Sequence, residues 1–429
     1  MEFLTRKIVA GAAVALACVG PVLLDGPVRV GPVLLDRPVQ AQQGTASLGL
    51  RDRTNEHVSI ASDGQFVAVV WAASTTAGTD IYMATSRDGA QSFLAPVRVN
   101  ATDRQANVNG EQPPQLVIVP RPNGPRTITV MWTAKSGAGT RVLTARSSDD
   151  GRTFAAAVHV PGTDGAGNRG WESIAVDEKG KSFALWLDHR DMAAAARSGE
   201  AHQHGPQASQ LFFAPLDGPG AQSLTRGVCY CCRTALVASA GSVYAAWRHV
   251  YADNHRDIAF TMSRDEGRTF SAPVRVRDDN WAIDGCPENG PALALDRQRR
   301  IHIVWPTRVE EKGSESLALF HSSTSDGKTF TQRARISLGG AAYHPRLVSL
   351  ADGSLVVAWD EVAGAGRRIR LARGTPDRSG LVAFRPLEIG GPADGRYPAI
   401  ATTPTHLVLA WTTRQSDTTR IAVARVPLS

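Results

Sequence analysis

The chain has 429 residues, 42% of them hydrophobic and 20% charged, with 40 glycines, 25 prolines and a formal net charge of +7. Its densest basic run is "RQRR" at Arg297 to Arg300, so the charge reads as a soluble, arginine-rich surface and not as a nucleic-acid stripe. Beyond the N-terminal leader no apolar stretch approaches the ~20 residues of a membrane-spanning helix, and the glycines and prolines set between short alternating runs point to an all-β protein.

The chain opens with "MEFLTRK" and the apolar run "IVAGAAVALACVGPVLL", the charged start and hydrophobic middle of a secretory signal. The first small-residue cleavage site, "VQA" ending at Ala41, lies far from that run because "PVLLDGPVRVG" and "PVLLDRPVQAQ" form a tandem duplication. Residues 1–41 are therefore expected to be a signal peptide, with residues 42–429 forming one exported domain, periplasmic or secreted. The alternative is a lipoprotein acylated at Cys18, the end of "ALAC". On either reading four of the five cysteines remain for the fold, in an oxidising compartment.

From residue 54 onward one pattern repeats. Trp71, Trp132, Trp186, Trp247, Trp305, Trp359 and Trp411 each close or nearly close an apolar strand such as "FVAVVW" or "LVVAW", at spacings of 61, 54, 61, 58, 54 and 52 residues. Each of these strands follows a short apolar strand and a turn, and precedes two more strands. Four strands repeated seven times predict a β-propeller, whose radial closure leaves no long free edge. The seventh unit stops after its third strand, and "TASLGLRD" at the start of the mature chain is expected to supply the fourth.

Between the third and fourth strands, "SSDDGRTF" (Ser147 to Phe154) and "SRDEGRTF" (Ser263 to Phe270) match the Asp-box, and "SRDGAQSF" and "STSDGKTF" match it imperfectly. In this the chain resembles the sialidase superfamily of Asp-box (BNR) propellers over nearly its whole mature length. The resemblance implies a propeller of seven blades, or six as in the sialidase type, with the boxes on the face opposite the active site. It also implies an exo-sialidase alternative, in which three arginines hold a carboxylate and a tyrosine with a glutamate acts as nucleophile. The family's Arg-Ile-Pro motif is missing here; the nearest analogues are Arg233, Arg346 and Arg396, with Tyr343 or Tyr397 and Glu172.

Propeller topology brings together, at one mouth, the residues that open each unit and those that follow each Trp. Cys229, Cys231, Cys232 and Arg233 of "VCYCCRTA" open the fourth unit, and Cys286 and Glu288 of "DGCPENGP" open the fifth. His57, Glu111, His344, Arg346 and Arg396 open others; His189, Arg248, His249 and His255 follow Trp strands, and His202 and His204 lie in a long loop of the third unit. Trp171 and Trp281, outside the repeat, are the candidates for stacking on a ligand, whereas the seven repeated tryptophans are expected to be packing core. The expected ligand-binding set is Arg233, Arg248, Glu288, His57, Glu111, Trp171, Trp281, His344, Arg346 and Arg396.

The cysteines admit three readings. Two disulfides suit an even count in an exported protein, one of them joining the triplet to Cys286 and the other a tight ring within "CYCC". A soft-metal site for copper or zinc would use Cys229, Cys231, Cys232 and Cys286 with His249. A redox-active thiol pair would have its pKa lowered by Arg233 and Arg248. The expected protein is a monomeric sialidase-like propeller that binds a small molecule, a glycan or a protein partner at this mouth, or else a sialidase-type hydrolase or a purely structural interaction module.

Overall fold

In the computed structural model the described residues are 45–428, apart from 102–104, 120, 122–123, 193–207, 219, 312, 338 and 416. Regular structure among them is almost entirely strand, organised as seven four-stranded antiparallel sheets whose innermost strands contact one another around a closed ring. The innermost strands of blades 1 to 7 are Thr54–Asp63, Gln115–Val119, Arg169–Val176, Ala235–Ser239, Ala292–Leu295, Ala341–Ser349 and Arg396–Thr402. The ring therefore has seven blades, not six. No helix among the described residues is long and apolar enough to cross a membrane.

The Trp strand explains why the ring packs. It is second in each sheet and is buried on both faces, so its residues alternate between two blade interfaces. In Phe66–Thr75 of blade 1, Val67, Val69 and Trp71 pack against blade 7, while Phe66, Ala68 and Val70 pack against blade 2. The same division recurs around the ring, giving seven apolar clusters, one per interface. All seven tryptophans are 5% exposed or less and face the preceding blade.

Ring closure follows the expectation from the N-terminus. The seventh sheet, Arg396–Thr402, His406–Gln415 and Thr418–Pro427, takes Ala46–Leu48 as its outer strand, with Ala46 opposite Val423 and Leu48 opposite Ile421. On the far face, Asp149 accepts the backbone N–H groups of Arg152 and Thr153 at 3.0 Å each, and Gly151 takes φ 81°. Its Cβ position lies 2.2 Å from Met83 Cε, so a side chain there would have to displace Met83 as well as strain the left-handed backbone.

Candidate functional site

Five blades share a device at the mouth that sets the geometry of everything above it. His57, Trp171, Glu288, His344 and Tyr397, each within four residues of the start of an innermost strand, have φ of 59°, 52°, 47°, 50° and 56°. Bulky residues seldom enter this left-handed region, where holding one costs about 1–3 kcal/mol. In blades 1, 3, 6 and 7 the strand register slips at these residues, forming a bulge that interrupts the side-chain alternation.

A bulge frees a backbone N–H from the ladder, and here the preceding blade supplies the acceptor. His57 N donates to Thr412 Oγ1 at 3.2 Å, Trp171 N to Gln112 Oε1 at 3.1 Å, His344 N to Asn289 Oδ1 at 3.2 Å and Tyr397 N to Asp360 Oδ1 at 3.2 Å. These four acceptors were not among the expected site residues. Asp360 and Thr412 directly follow Trp359 and Trp411, and Gln112 and Asn289 lie in segments that open a unit, so the placement rule applied to every position would have included them.

The expected ligand residues divide into three groups. Tyr397, His57 and His344 gather at the mouth of blades 6, 7 and 1, with ring centroids 4.4 Å apart for His344 and Tyr397 and 5.9 Å for His57 and Tyr397. His344 Nδ1 is 2.7 Å from Asp360 Oδ1, and burial lowers the His57 pKa to about 4. Arg396 pairs with Glu56 at 2.8 Å, and Tyr343 lies under Arg367. A groove of 810 Å³ runs outward from here, lined by Arg367, Arg396, Arg414, Asp417 and threonines.

The second group lies deeper. Arg233 and Arg346 line a 150 Å³ cavity in the ring axis, Arg233 Nη2 donating to Pro345 O at 2.8 Å and Arg346 Nε to Pro398 O at 3.0 Å. Buried Glu111 spans the axis from blade 2, accepting the N–H of Arg233 at 3.0 Å and that of Gly290 at 2.8 Å with one oxygen. Glu172 is sealed at 1% exposure against Thr133, and desolvation raises its pKa to about 7.

Two expected ligand residues are committed elsewhere. Arg248 is 1% exposed and spends its donors on the carbonyls of Asn289, Arg256 and Pro306, holding blades 4 and 5 together. Its guanidinium covers the ring of Trp281, itself 5% exposed, so that face is not open to a ligand. Trp171 instead packs on the cysteines, 5.5 Å from His189, and Glu288 is exposed beside them.

The third group is the cysteine cluster. Tyr230 to Cys232 form a turn, not a strand, so the three sulfurs share one side instead of alternating. Their mutual Sγ distances are 3.7 Å for Cys229 and Cys231, 3.9 Å for Cys231 and Cys232, and 3.6 Å for Cys232 and Cys229. Cys231 is bonded to Cys286 across the blade boundary, whereas Cys229 and Cys232 are free thiols. One disulfide and a dithiol thus stand where the first of the three readings has two disulfides. The triplet is buried and Cys286 is exposed.

The Cys232 thiol donates to Cys229 Sγ, and this, with Arg256 and Arg248 nearby, lowers the Cys229 pKa to about 6 against the opposing effect of burial. Burial raises the pKa of Cys232. Arg256, which follows the Trp247 strand and so falls at this mouth by the repeat, reaches Cys229 Sγ with Nη1 at 3.3 Å. Arg233, expected here, points into the axial cavity. His249 does not join the sulfurs: its ring lies between Trp247 and Tyr251, where burial lowers its pKa to about 4. His202 and His204 fall outside the described residues, as does Cys18.

No family model and no curated protein sequence matches the chain. Among solved structures it is similar to a protein of unknown function from Dyadobacter fermentans (TM-score 0.50, 12% identity, 92% of this chain and 99% of that one). It is also similar to the GH93 α-L-arabinofuranosidase of Fusarium graminearum in complex with arabinobiose (TM-score 0.51, 14% identity, 91% and 97%). A polysaccharide lyase aligns with TM-score 0.53 at 9% identity over 94% and 95%. At such identities the likeness is one of fold alone, that of a β-propeller.

Proposed function

We propose that this propeller is an exported binding module whose mouth holds a soft metal ion, copper(I) or zinc, on cysteine sulfur. The observation that carries the reading is the sulfur triangle, with edges of 3.6, 3.7 and 3.9 Å. A tetrahedral ion bonded to sulfur at roughly 2.3 Å needs its ligand atoms roughly 3.8 Å apart. Cys229, Cys231 and Cys232 would be three ligands, and Cys286, once reduced, is the natural fourth. Thiolates favour copper(I) and zinc over harder ions, and the guanidiniums of Arg256 and Arg248 offset the negative charge such a set gathers.

The test uses untagged protein reduced under nitrogen, freed of chelator and titrated with copper(I) or zinc against a chromophoric competitor. One ion per chain is expected, with affinity reduced at least tenfold in Cys231→Ser and unchanged in His249→Ala. Absence of stoichiometric binding by the reduced wild-type protein overturns the reading. Export belongs to the same proposal and rests on the leader; N-terminal sequencing of extracytoplasmic protein should begin near Gln42, and a lipid-bearing Cys18 would replace that part of it.

A second reading has its own observation. Tyr397, His57 and His344 converge beside Arg396, which also lines a groove with Arg367 and Arg414, a setting suited to a sugar bearing a carboxylate. Structures of similar fold include an arabinofuranosidase with bound arabinobiose and a polysaccharide lyase, which supports a glycan ligand in this place. In the sialidase form of this reading, turnover of a fluorogenic sialoside should vanish in Arg346→Ala and Arg396→Ala. Absence of turnover by the wild-type protein removes that form.

A further inference from the structure

The mouth of blades 4 and 5 contains a dithiol and a disulfide in van der Waals contact, an arrangement that a metal-binding set does not require. We propose that the disulfide migrates within this cluster by thiol–disulfide exchange, Cys229 attacking Cys231 and releasing Cys286 as a thiolate at the protein surface.

Cys229 Sγ stands 3.7 Å from Cys231 Sγ, the buried half of the Cys231–Cys286 bond. The Nη1 of Arg256 is 3.3 Å from Cys229 Sγ, holding the attacking sulfur beside the bond it breaks. In the step, a bond forms between the sulfurs of Cys229 and Cys231, the Cys231–Cys286 bond breaks, and its electron pair leaves on Cys286 sulfur. Atoms and electrons balance within the chain, with no outside oxidant or reductant. Cys286 is the exposed member of the four, so the leaving charge is placed in water.

Cys232 completes the sequence. Its sulfur is 3.6 Å from that of Cys229 and 3.9 Å from that of Cys231. Attack by Cys232 on Cys229 sulfur, its proton passing to the departing Cys231 sulfur, returns Cys231 as a thiol and leaves a Cys229–Cys232 disulfide across a C-x-x-C spacing. The cluster thereby links a surface sulfur to a buried pair. The class of partner this serves is a dithiol or disulfide on another protein, for which Tyr230, 40% exposed in the cysteine turn, offers an apolar contact.

The exchange needs no bound ion, so the test is run in excess chelator, where success or failure of the metal reading has no influence. Protein lacking residues 1–41, purified oxidised and never treated with reductant, is incubated folded with N-ethylmaleimide, then digested and mapped by mass spectrometry. Labelled Cys286 is expected, with Cys229 recovered in a disulfide with Cys231 or Cys232. Cys229→Ser should retain the Cys231–Cys286 bond and show at least a tenfold drop in Cys286 labelling. Cys232→Ser should preserve labelling and accumulate the Cys229–Cys231 bond. Arg256→Gln, which keeps all four sulfurs, should slow the labelling of Cys286. Wild-type protein that labels only at Cys229 and Cys232 overturns the proposal, as does Cys286 labelling that is undiminished in Cys229→Ser.

Discussion

Tyr397 of blade 7 lays its ring against the backbone of Gly110 in blade 2, so closely that a Cβ on Gly110 would fall 1.9 Å from Tyr397 Cζ. Two blades that are not neighbours thus touch at the mouth, and the contact needs a residue without a side chain. Gly110→Ala should displace the Tyr397 ring and cost about 1–3 kcal/mol, the range for overpacking a well-filled site. Because that ring also lies on His344 and His57, the histidine ring resonances should shift in the NMR spectrum of the variant. A spectrum identical to wild type would mean that the ring does not cross the axis.

Glu111 makes the complementary crossing. One of its oxygens accepts the N–H groups of Arg233 and Gly290, tying blade 2 to blades 4 and 5. Removing a buried acceptor leaves two donors without partners, so Glu111→Ala is expected to lose about 2–5 kcal/mol. Glu111→Gln keeps a carbonyl oxygen for the same donors and should lose less than half as much. Denaturant unfolding distinguishes the two; equal losses would mean that the carboxylate charge beside Arg233 matters more than the hydrogen bonds.

The architecture was legible because the propeller repeats its chemistry. A doubly buried second strand must be apolar throughout and ends against Trp, so Trp71 to Trp411 report blade number, order and even the missing outer strand. The cysteines were legible as a group, since topology alone brings blades 4 and 5 to one face. Their pairing was not legible, because it depends on how "CYCC" turns and therefore on which sulfur faces Cys286. Arg248 and Trp281 were misjudged for a related reason. Position beside the mouth is written in the repeat, whereas whether a guanidinium spends its donors on Asn289, Arg256 and Pro306 depends on backbone carbonyls that sequence does not distinguish.

Buried titratable groups give stability two opposite slopes with pH. Burial lowers the pKa values of His57, His189 and His249 to about 4, below the ordinary 6.5, so the unfolded chain takes up protons first and stability falls as pH drops from 6.5 toward 4. Glu172 acts in the other direction. Its folded pKa of about 7 exceeds the ordinary 4.5, so stability is lost as pH rises through that window. Glu172→Gln should therefore gain on wild type as pH rises, by about 2–3 kcal/mol at pH 8 relative to pH 4. Parallel Tm profiles for the two proteins from pH 4 to 8 would show that Glu172 is not held protonated.

The N-terminal strand should carry the closure of the ring. Ala46, Leu48 and Leu50 pack into the apolar cluster between blades 7 and 1, and Ala46–Leu48 covers the edge of Thr418–Pro427. Asn55, fully buried, fastens the segment: it exchanges hydrogen bonds with Leu50 N and O, accepts from Trp71 Nε1 and donates to Thr419 O. Deleting Thr45 to Asp52 removes the outer strand and the Leu50 partner of Asn55, and is expected to cost several kcal/mol and to expose a strand edge prone to intermolecular pairing. Asn55→Ala keeps the strand but loses its fastening, and should cost about 2–4 kcal/mol. The two variants separate edge covering from anchoring, because a synthetic peptide of residues 45–52 added to the deleted protein can restore the first and with it Tm. Unchanged thermal stability on deletion would mean that blades 7 and 1 hold the ring closed without the strand.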